Sequence, residues 1–242
     1  MIPRIATGFA RHLASYDTAA TAQAQIADRL AARIAPLIAP AARMLELGHG
    51  TGFLTRQLAR LAPEEIWLND LVAPPPALRW PEATRVQALP GDAAALRFPA
   101  GLDLIASASM LQWLADPAAL LRKSARALRP GGILAVSSFG PGNFPELAGL
   151  GLPPGAPGYR DADGLCADLP AGMQVLAAWD ESLELSFPDA RALMAHLRAT
   201  GVNGLRAGHL SASGLRALMR QMNRAGPTTL TYRPSYCMAR RC

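Results

Sequence analysis

The feature that most constrains the fold is a run of three alternate glycines between two apolar segments. The run reads Glu46-Leu-Gly48-His-Gly50-Thr-Gly52. The apolar segment 43–47 precedes it, and in the following segment 51–61 large apolar side chains recur at helical spacing. Alternate glycines let a backbone turn tightly and approach a ligand without clashes from Cβ atoms. The run therefore predicts a ligand-binding turn at the carboxyl end of the first strand of an open α/β sheet.

Strand-like and helix-like segments alternate along most of the chain. This alternation predicts an α/β fold with a doubly wound, mostly parallel sheet of seven strands, the last one reversed. A loop is expected over the Pro-rich segment 73–81. The predicted strands after 43–47 are 66–70, 85–89, 102–107 and 133–138, then one long or two short strands in 174–187, and a last strand over 228–239. Helices are predicted over 51–61, 117–128, 188–200 and 211–224, with the turn 129–132 ending the second of these.

An N-terminal helix is predicted over residues 18–38. Ile26, Leu30, Ile34 and Leu37 follow one another at spacings of four, four and three. That spacing places the four side chains on one face of a helix. We expect this face to pack on the sheet.

Composition excludes several classes of protein. Half of the 242 residues are hydrophobic and 17% are charged, which excludes a disordered chain and a coiled coil. The three cysteines are not clustered in the sequence, so neither a disulfide framework nor a metal site is expected. The N-terminus lacks an apolar stretch of signal-peptide length, and the most apolar segment, 102–121, is interrupted by Asp116-Pro117. We therefore expect a monomeric cytoplasmic protein with no membrane contact.

The net charge of +6 comes almost entirely from arginine. It favours acidic partners, although a solvated basic surface would give the same count. No basic run interleaved with aromatic residues accompanies the charge, so nucleic acid is not expected as a partner.

The glycine turn could bind a dinucleotide, another ligand that contains adenosine, or no ligand. A dinucleotide loop follows the pattern G-x-G-x-x-G, and Phe53 stands where the third glycine belongs. A turn without a ligand is a further alternative. Asp70, at the end of the second strand, can accept hydrogen bonds from both ribose hydroxyls of an adenosine, which NAD would also use. Asp92 can face an adenine amino group, or be a solvated turn residue.

Taken together, these motifs resemble the class I S-adenosylmethionine-dependent methyltransferases. The glycine run is similar to that family's first motif, Asn69-Asp70-Leu71 to its ribose motif, Pro90-Gly-Asp-Ala93 to its adenine motif, and 128–132 to the turn before its fifth strand. The resemblance implies a Rossmann-like fold and S-adenosylmethionine as cofactor. The cofactor-binding residues it implies are Glu46, Gly48, His49, Gly50, Gly52, Asp70, Leu71, Asp92, Ala93 and Ser107.

The flanking segments resemble one branch of that class, the malonyl-acyl-carrier-protein O-methyltransferases of biotin synthesis. The similar segments are 9–17 with Gln23, 110–113, 138–142, 197–201 and 230–232. The resemblance implies transfer of a methyl group to the free carboxylate of a malonyl thioester on acyl-carrier protein, an early step in making the pimeloyl chain. The sequence departs from the family pattern at His49 and in the Gly- and Pro-rich segment 149–158.

The resemblance also implies a division of the single domain, 1–242. Residues 1–38 would form an N-terminal lid, 43–138 the cofactor-binding core, and 139–242 a helical substrate cap and sheet edge. A malonyl carboxylate is already ionised near neutral pH, so no general base is required. Tyr16 is the candidate donor to the acceptor carboxylate, and Arg198 could pair with it in forked geometry. The alternatives are an amphipathic Tyr16 seated on the first helix and a plain exposed Arg198.

Histidine acid–base chemistry is not expected. His12 lies in the lid segment, His49 would bind through its backbone, and His196 and His209 are expected on the surface. An acidic carrier protein is expected to meet the arginines of the cap, which are Arg191, Arg198, Arg206, Arg216, Arg220 and Arg224. Two other functions remain open: methylation of a free small acid resembling aconitate, and cofactor binding without turnover.

Overall fold

We analysed a computed structural model of the chain, which describes residues 16–152, 156–200, 212–224 and 228–242. Residues 1–15 of the expected lid, including His12, therefore lie outside the described residues. Arg206 and His209 of the cap lie outside them as well.

Seven strands form one mostly parallel sheet, as predicted. The strands are β1 (Arg43–Leu47), β2 (Glu65–Asp70), β3 (Arg85–Pro90), β4 (Leu102–Ser107), β5 (Leu128–Phe139), β6 (Met173–Asp180) and β9 (Pro234–Arg241). Their order across the sheet is β3-β2-β1-β4-β5-β9-β6, and β9 alone runs opposite to the other six. A separate antiparallel pair consists of β7 (Leu183–Phe187) and β8 (Thr228–Tyr232).

Seven described helices accompany these strands. Helices α1, α2 and α3 are Thr21–Ile34, Phe53–Ala59 and Pro117–Ala127. The short α4 and α5 are Pro145–Ala148 and Ala162–Ala167, and the cap helices α6 and α7 are Ala190–Ala199 and Ala212–Arg224. Residues 16–19 are also helical. Among the helices of the described ranges, none is long and apolar enough to cross a membrane.

The predicted last strand, 228–239, is wrong as a single strand. It is two strands that belong to different sheets, with Arg233 between them. The backbone N–H of Arg233 donates to Asn143 Oδ1 at 2.9 Å and its carbonyl accepts from Gly140 at 2.8 Å. Because both backbone groups bond to a loop and Pro234 has no N–H, the strand is interrupted there.

Segment 128–132 also differs from its prediction as a turn. It is extended and begins β5. Gly132 lies so close to β4 that an added Cβ would be 2.7 Å from the Leu102 carbonyl oxygen. The ladder is irregular between Leu102 and Leu104. Gly132 therefore permits a close approach between β4 and β5, whereas α3 ends before it, at Ala127.

Helix α1 packs one face on the sheet. Ile26, Leu30 and Ile34 are fully buried, as predicted, whereas Leu37 is 39% exposed. The prediction for Leu37 is wrong because the α-helix ends at Ile34 and a 3-10 turn follows. A 3-10 turn has fewer residues per turn, so the helical spacing no longer holds.

Two cysteines that are distant in sequence meet in the fold. The sulfur atoms of Cys166 and Cys237 are 3.9 Å apart, and both residues are free thiols. The two thiols are neighbours because α5 packs on β9. Within the described ranges, no group of three or more His, Cys, Asp or Glu residues could hold a metal ion.

The packing of α1 leads to a stability prediction. Leu30→Ala should lower the free energy of unfolding by about 2–5 kcal/mol, because it leaves a cavity in the core. Leu37→Ala, the same change at a half-exposed position, should cost no more than about 0.5 kcal/mol. Urea denaturation measures both. Equal losses would contradict the end of the helix at Ile34.

Candidate active site

A cleft opens at the carboxyl ends of the parallel strands. It encloses about 1190 Å³ of space, measured to include its open mouth. Its wall is formed by the ends of β1 and β2, the segments that follow β3 and β4, the start of α2, and the N-terminal helical residues. The lining residues are Tyr16, Gln23, Ala27, Glu46, Gly48, His49, Gly50, Thr51, Phe53, Leu54, Asn69, Asp70, Leu71, Val72, Ala73, Gly91, Asp92, Ala93, Ala108, Ser109, Met110, Trp113 and Leu114.

The glycine turn forms the floor of the cleft between β1 and α2. Gly48, Gly50 and Gly52 have φ values of +69°, +53° and +96°, which side chains rarely allow. A Cβ on Gly48 would lie 2.5 Å from Met110 Cγ, and one on Gly52 would lie 2.8 Å from Pro76. Gly48 and Gly52 are therefore required both by conformation and by close packing, whereas Gly50 is favoured by its conformation alone, since a Cβ there would meet no atom within 4 Å.

Asp70 fastens the glycine turn to β2. Its Oδ2 accepts from the backbone N–H of Gly50 at 2.9 Å. Its Oδ1 accepts from the N–H groups of Val72 and Ala73, both at 2.8 Å. Since a carboxylate oxygen has two lone pairs, Oδ2 keeps one for a ligand hydroxyl. The carboxylate therefore orients the glycine turn and the start of the segment after β2. These segments, with the turn after β3, form the rim of the cleft. The carboxylate also presents an acceptor to the cleft.

The turn after β3 is also tied to β2. The Asn69 amide donates to the carbonyls of Leu89 at 2.8 Å and Gly91 at 2.9 Å. Asp92 then begins a tight turn, in which its Oδ1 accepts from Ala94 at 2.9 Å. These contacts place Asp92 and Ala93 beside Asp70 on the same rim.

Lys123, on α3, forms hydrogen bonds to the backbone of the Asp92 turn. Its Nζ donates to the carbonyls of Ala93 at 2.7 Å and Ala94 at 3.1 Å, and lies 4.2 Å from the centre of the Phe98 ring. Burial lowers the pKa of Lys123, and the neighbouring Asp92 opposes that shift. The sequence analysis did not single out this residue.

Glu46 is a buried carboxyl group at the bottom of the cleft. Only 1% of it is exposed, and its Oε2 has no hydrogen-bond partner among the described residues. Burial raises the pKa of Glu46 to about 8, and the nearby Asp70 adds to the rise. At neutral pH, without a ligand, this side chain is therefore protonated.

Tyr16 closes one side of the cleft. It lies in the helical segment 16–19, with its ring centre 6.3 Å from that of Phe53. Asp17 forms an ion pair with Arg56 of α2 at 3.8 Å, which ties this segment to the core. Burial raises the pKa of Tyr16, with smaller contributions from Asp17 and Asp70. The phenol therefore stays protonated and can donate a hydrogen bond.

Several lining residues were missed by the sequence analysis. The chain leaves β4 through Ser109, which has a φ of +56°, and this turn carries Met110, Trp113 and Leu114 to the cleft. Gln23 of α1 lines the opposite side and is 6% exposed. One signal in the sequence pointed to these residues. Segments 110–113 and 9–17, together with Gln23, are similar to the methyltransferase branch named in the sequence analysis.

The structure brings most of the predicted cofactor residues to one cleft. Leu71 lines it although 44% of the residue is exposed. Ser107 does not line it: its hydroxyl is buried and donates to the Leu47 carbonyl at 2.8 Å. His49 is buried within the turn, with Nδ1 2.8 Å from the Gly50 oxygen. The structure thus places Ser107 as a bridge between β4 and β1.

The structure also shows where two cap residues lie. Arg198 is exposed on α6 and is not among the lining residues, so the structure does not bring it to Tyr16. His196 was expected on the surface, but it is half-buried and its Nε2 lies 2.7 Å from the Tyr232 hydroxyl. That expectation is wrong because the face of α6 that carries His196 packs against β8.

Comparison with known proteins identifies the family. A family profile described as a methyltransferase domain matches residues 45–136. A malonyl-acyl-carrier-protein O-methyltransferase of Bacteroides helcogenes is 33% identical over 98% of this chain and 97% of that protein. The chain belongs to this family.

Two further relatives agree with that assignment. A Bacteroides fragilis protein of the same name is 35% identical over 98% of this chain, which spans 50% of that longer protein. A crystal structure of a Bacillus halodurans protein assigned to the methyltransferases aligns with a TM-score of 0.61 at 13% identity, covering 88% of this chain and 97% of that one. This structural match supports the fold alone.

Burial of Glu46 leads to a prediction about pH. The unfolded chain releases this proton near pH 4.3, whereas the folded chain holds it until about pH 8. Since the unfolded state then binds fewer protons, this group's contribution to stability falls between those two values and levels off above pH 8.

Glu46→Gln removes that dependence and keeps the shape of the side chain. The stability of the variant relative to the parent, measured by urea denaturation without ligand, should therefore rise from pH 5 to pH 8. Titration of all other groups cancels in this difference. A constant difference over that range would show that Glu46 is ionised in the folded protein.

Proposed function

We propose that the chain transfers a methyl group from S-adenosylmethionine to the free carboxylate of a malonyl thioester carried by acyl-carrier protein. The observation that carries this proposal is one cleft in which the glycine turn, the carboxylate of Asp70 and the hydroxyl-bearing ring of Tyr16 line the same space. The family supports the substrate class. The reaction would form a methyl ester early in the synthesis of the pimeloyl chain of biotin.

The residues of the cleft fit this cofactor. Asp70 keeps a free lone pair for a ribose hydroxyl, and Asp92 and Ala93 lie beside it for the adenine. Two buried acceptors, Glu46 Oε2 and Gln23 Oε1, lack partners among the described residues and suit a ligand with cationic N–H groups. When bound, S-adenosylmethionine supplies an electrophilic methyl group on a sulfonium.

The chain's own task is to position the acceptor and to exclude water. The malonyl carboxylate carries its charge without help from a base. Tyr16 stays protonated, so it can donate to one carboxylate oxygen without removing the charge that makes the other nucleophilic. Met110, Trp113 and Leu114 give the cleft an apolar side, which reduces hydration of the carboxylate. Alignment and desolvation together account for catalysis without an acid–base pair.

The division of the domain follows the same plan. We assign the lid to residues 1–38, the cofactor core to 43–138, and the substrate cap and sheet edge to 139–242. In the described part of the lid, Tyr16 and Gln23 line the cleft, and the Asp17–Arg56 ion pair joins lid to core.

The role of Asp70 is tested by binding. Asp70→Ala should weaken binding of S-adenosylmethionine by about 1–3 kcal/mol, because the ribose loses an ionised acceptor. Isothermal titration calorimetry measures this, with NAD as a second ligand that should bind more weakly to the parent chain. An unchanged affinity in the variant would place the ribose elsewhere.

A matched control separates binding from folding. Asp103 also accepts a hydrogen bond from a backbone N–H on a neighbouring strand, that of Arg43 at 2.7 Å, but at the opposite edge of the sheet. Asp103→Ala should lower stability and leave the cofactor affinity unchanged. Equal loss of affinity in both variants would mean that Asp70 acts only through the fold.

The role of Tyr16 is tested by separating turnover from binding. Tyr16→Phe removes the hydroxyl and keeps the ring against Phe53. It should lower kcat roughly tenfold or more, in line with the loss of one charge-assisted hydrogen bond, with the cofactor affinity nearly unchanged. Steady-state kinetics and calorimetry on the same preparation measure the two effects. Parallel losses would identify Tyr16 as a cofactor or packing residue.

An exposed basic face on the cap supports the proposed partner. Arg216 and Arg220 lie one turn apart on α7 and both are exposed, as are Arg191 and Arg198 on α6. Opposite charge on an acidic carrier protein would speed its encounter with this face.

Charge reversal tests that docking face. Arg216→Glu with Arg220→Glu should lower the rate with subsaturating malonyl-carrier protein and spare malonyl-CoA, because the smaller substrate has little surface to steer. Salt above about 0.15 M, where the Debye length is about 8 Å, should reduce the difference between the parent and the variant. Arg122→Glu with Arg126→Glu makes the same change at the same spacing on α3 and should have little effect.

The substrates in this assay also separate the candidate functions. Equal effects of the α7 reversal on both thioesters would move the carrier to another face. Turnover of free malonate in preference to both thioesters would favour a methyltransferase for small acids. Binding of S-adenosylmethionine without turnover of any of them would favour a non-catalytic protein.

A further inference from the structure

Two free thiols meet where the short helix α5 packs on β9. Cys166 Sγ lies 3.9 Å from Cys237 Sγ, although the two residues are 71 positions apart in the chain. Leu165, next to Cys166, is fully buried in the same apolar cluster as Cys237. The start of α5 is also fixed, because the Ala162 N–H donates to Asp180 Oδ1 of β6 at 3.0 Å. The two sulfurs are therefore held as neighbours by packing and by a hydrogen bond.

The two thiols differ in their access to solvent. Cys166 is partly exposed, whereas Cys237 is 1% exposed within the sheet. Burial raises the pKa of Cys237 to about 12, and the neighbouring Cys166 adds to the rise. The thiolate is the reactive form of a cysteine, and it forms most easily where water reaches the sulfur. Cys166 is therefore the sulfur that a soluble oxidant reaches, and Cys237 stays a protonated thiol behind it.

The separation of the two sulfurs suits a disulfide. Bonded sulfurs are about 2.05 Å apart, so this pair lies roughly 2 Å beyond bonding distance. Rotation about a Cα–Cβ bond moves a sulfur without moving the backbone. Helix α5 has only six residues, so a small displacement of it can supply the rest of the approach. Formation of a disulfide therefore requires little rearrangement of the sheet.

A bond between these sulfurs would join the two ends of the cap. Between Cys166 and Cys237 the chain forms β6, β7, α6, α7 and β8. These elements include the basic face that is proposed to meet the carrier. In the unfolded chain, a cross-link over 71 positions removes much of the conformational freedom of the enclosed loop. A disulfide here would therefore stabilise the folded cap.

We propose that Cys166 and Cys237 form an oxidation site, at which hydrogen peroxide converts the two thiols to a disulfide that joins α5 to β9. The oxygen–oxygen bond breaks as Cys166 Sγ takes one oxygen and becomes a sulfenic acid, and one water leaves. Cys237 Sγ then attacks Cys166 Sγ. The sulfur–sulfur bond forms, the sulfur–oxygen bond breaks, and the hydroxyl leaves with the Cys237 proton as a second water. Two thiols and one peroxide thus give one disulfide and two waters.

Thiol counting and peptide mapping test the bond. Reduced protein treated with a slight excess of hydrogen peroxide and then denatured should show one titratable thiol instead of three. Trypsin cuts between the three cysteines, since Arg191 follows Cys166 and Arg240 separates Cys237 from Cys242. Mass spectrometry without reductant should then show the peptide of Cys166 joined to that of Cys237.

Variants test the order of the two steps. Cys242→Ser is the matched control and should still form the bond, because Cys242 is exposed and lies outside the pair. Cys237→Ala leaves the sulfenic acid of Cys166 without a partner, so dimedone should trap it there. Cys166→Ser should leave Cys237 reduced. A bond that includes Cys242, oxidation of Cys242 alone, or retention of all three thiols in the parent chain would overturn the inference.

Thermal unfolding tests the effect on the cap. The oxidised parent should have a Tm roughly 5–10 °C above that of the reduced protein, as expected for a loop of this length, and dithiothreitol should abolish the difference. Cys166→Ser treated with peroxide should show no rise. An unchanged Tm in protein that carries the bond would overturn the stabilising role assigned to it. Neither cysteine lines the cleft, and none of these measurements needs cofactor or turnover, so their outcome is independent of the proposed function.

Discussion

The end of β2 is the point on which the site depends. The Asn69 carbonyl accepts from the N–H groups of Gly48 and His49 at 2.8 and 3.0 Å, and the Asp70 carbonyl accepts from Gly91 at 2.9 Å. The side chains of the same two residues bond to the turns on either side. Because turns at the edge of a sheet have no ladder partners, these bonds supply the partners that their backbone groups need. Two neighbouring turns are thereby fixed to one strand end, and the rim of the cleft keeps its shape.

The buried polar groups of the cleft differ in whether they already have hydrogen-bond partners. Glu46 and Gln23 are acceptors in apolar surroundings, which costs free energy unless a donor arrives. Asp70 is satisfied by backbone N–H groups and still has capacity to accept. The cleft therefore contains buried acceptors that lack donors, at Glu46 and Gln23, whereas the carboxylate of Asp70 is already hydrogen-bonded without a ligand.

The sequence predicted the parts of the structure that local patterns determine. Alternate glycines have few uses other than a tight turn, and the ends of parallel strands meet at one edge, so Gly48, Asp70 and Asp92 could be brought together before any coordinates. Leu37 shows where periodicity fails, since the helix ends one turn before the apolar pattern does. Strands β8 and β9 were predicted as one because the backbone partners of Arg233 lie about 90 residues earlier in the chain. His196 was misplaced for a similar reason: the rotation of α6 is set by its packing, which spacing alone does not encode.

The position of Lys123 beside the Asp92 turn has a consequence for the chemical labelling of the protein. Lys123 is the only lysine among the 242 residues. Its ammonium donates to the carbonyls of Ala93 and Ala94 behind the rim and forms no ion pair within 4.0 Å with a carboxylate of the described residues. Partial burial makes its amine easier to deprotonate than an ordinary lysine, so reagents that acylate side-chain amines have one target in this chain. A probe attached there would sit behind the rim segment assigned to the adenine, and would report on the cleft from outside it.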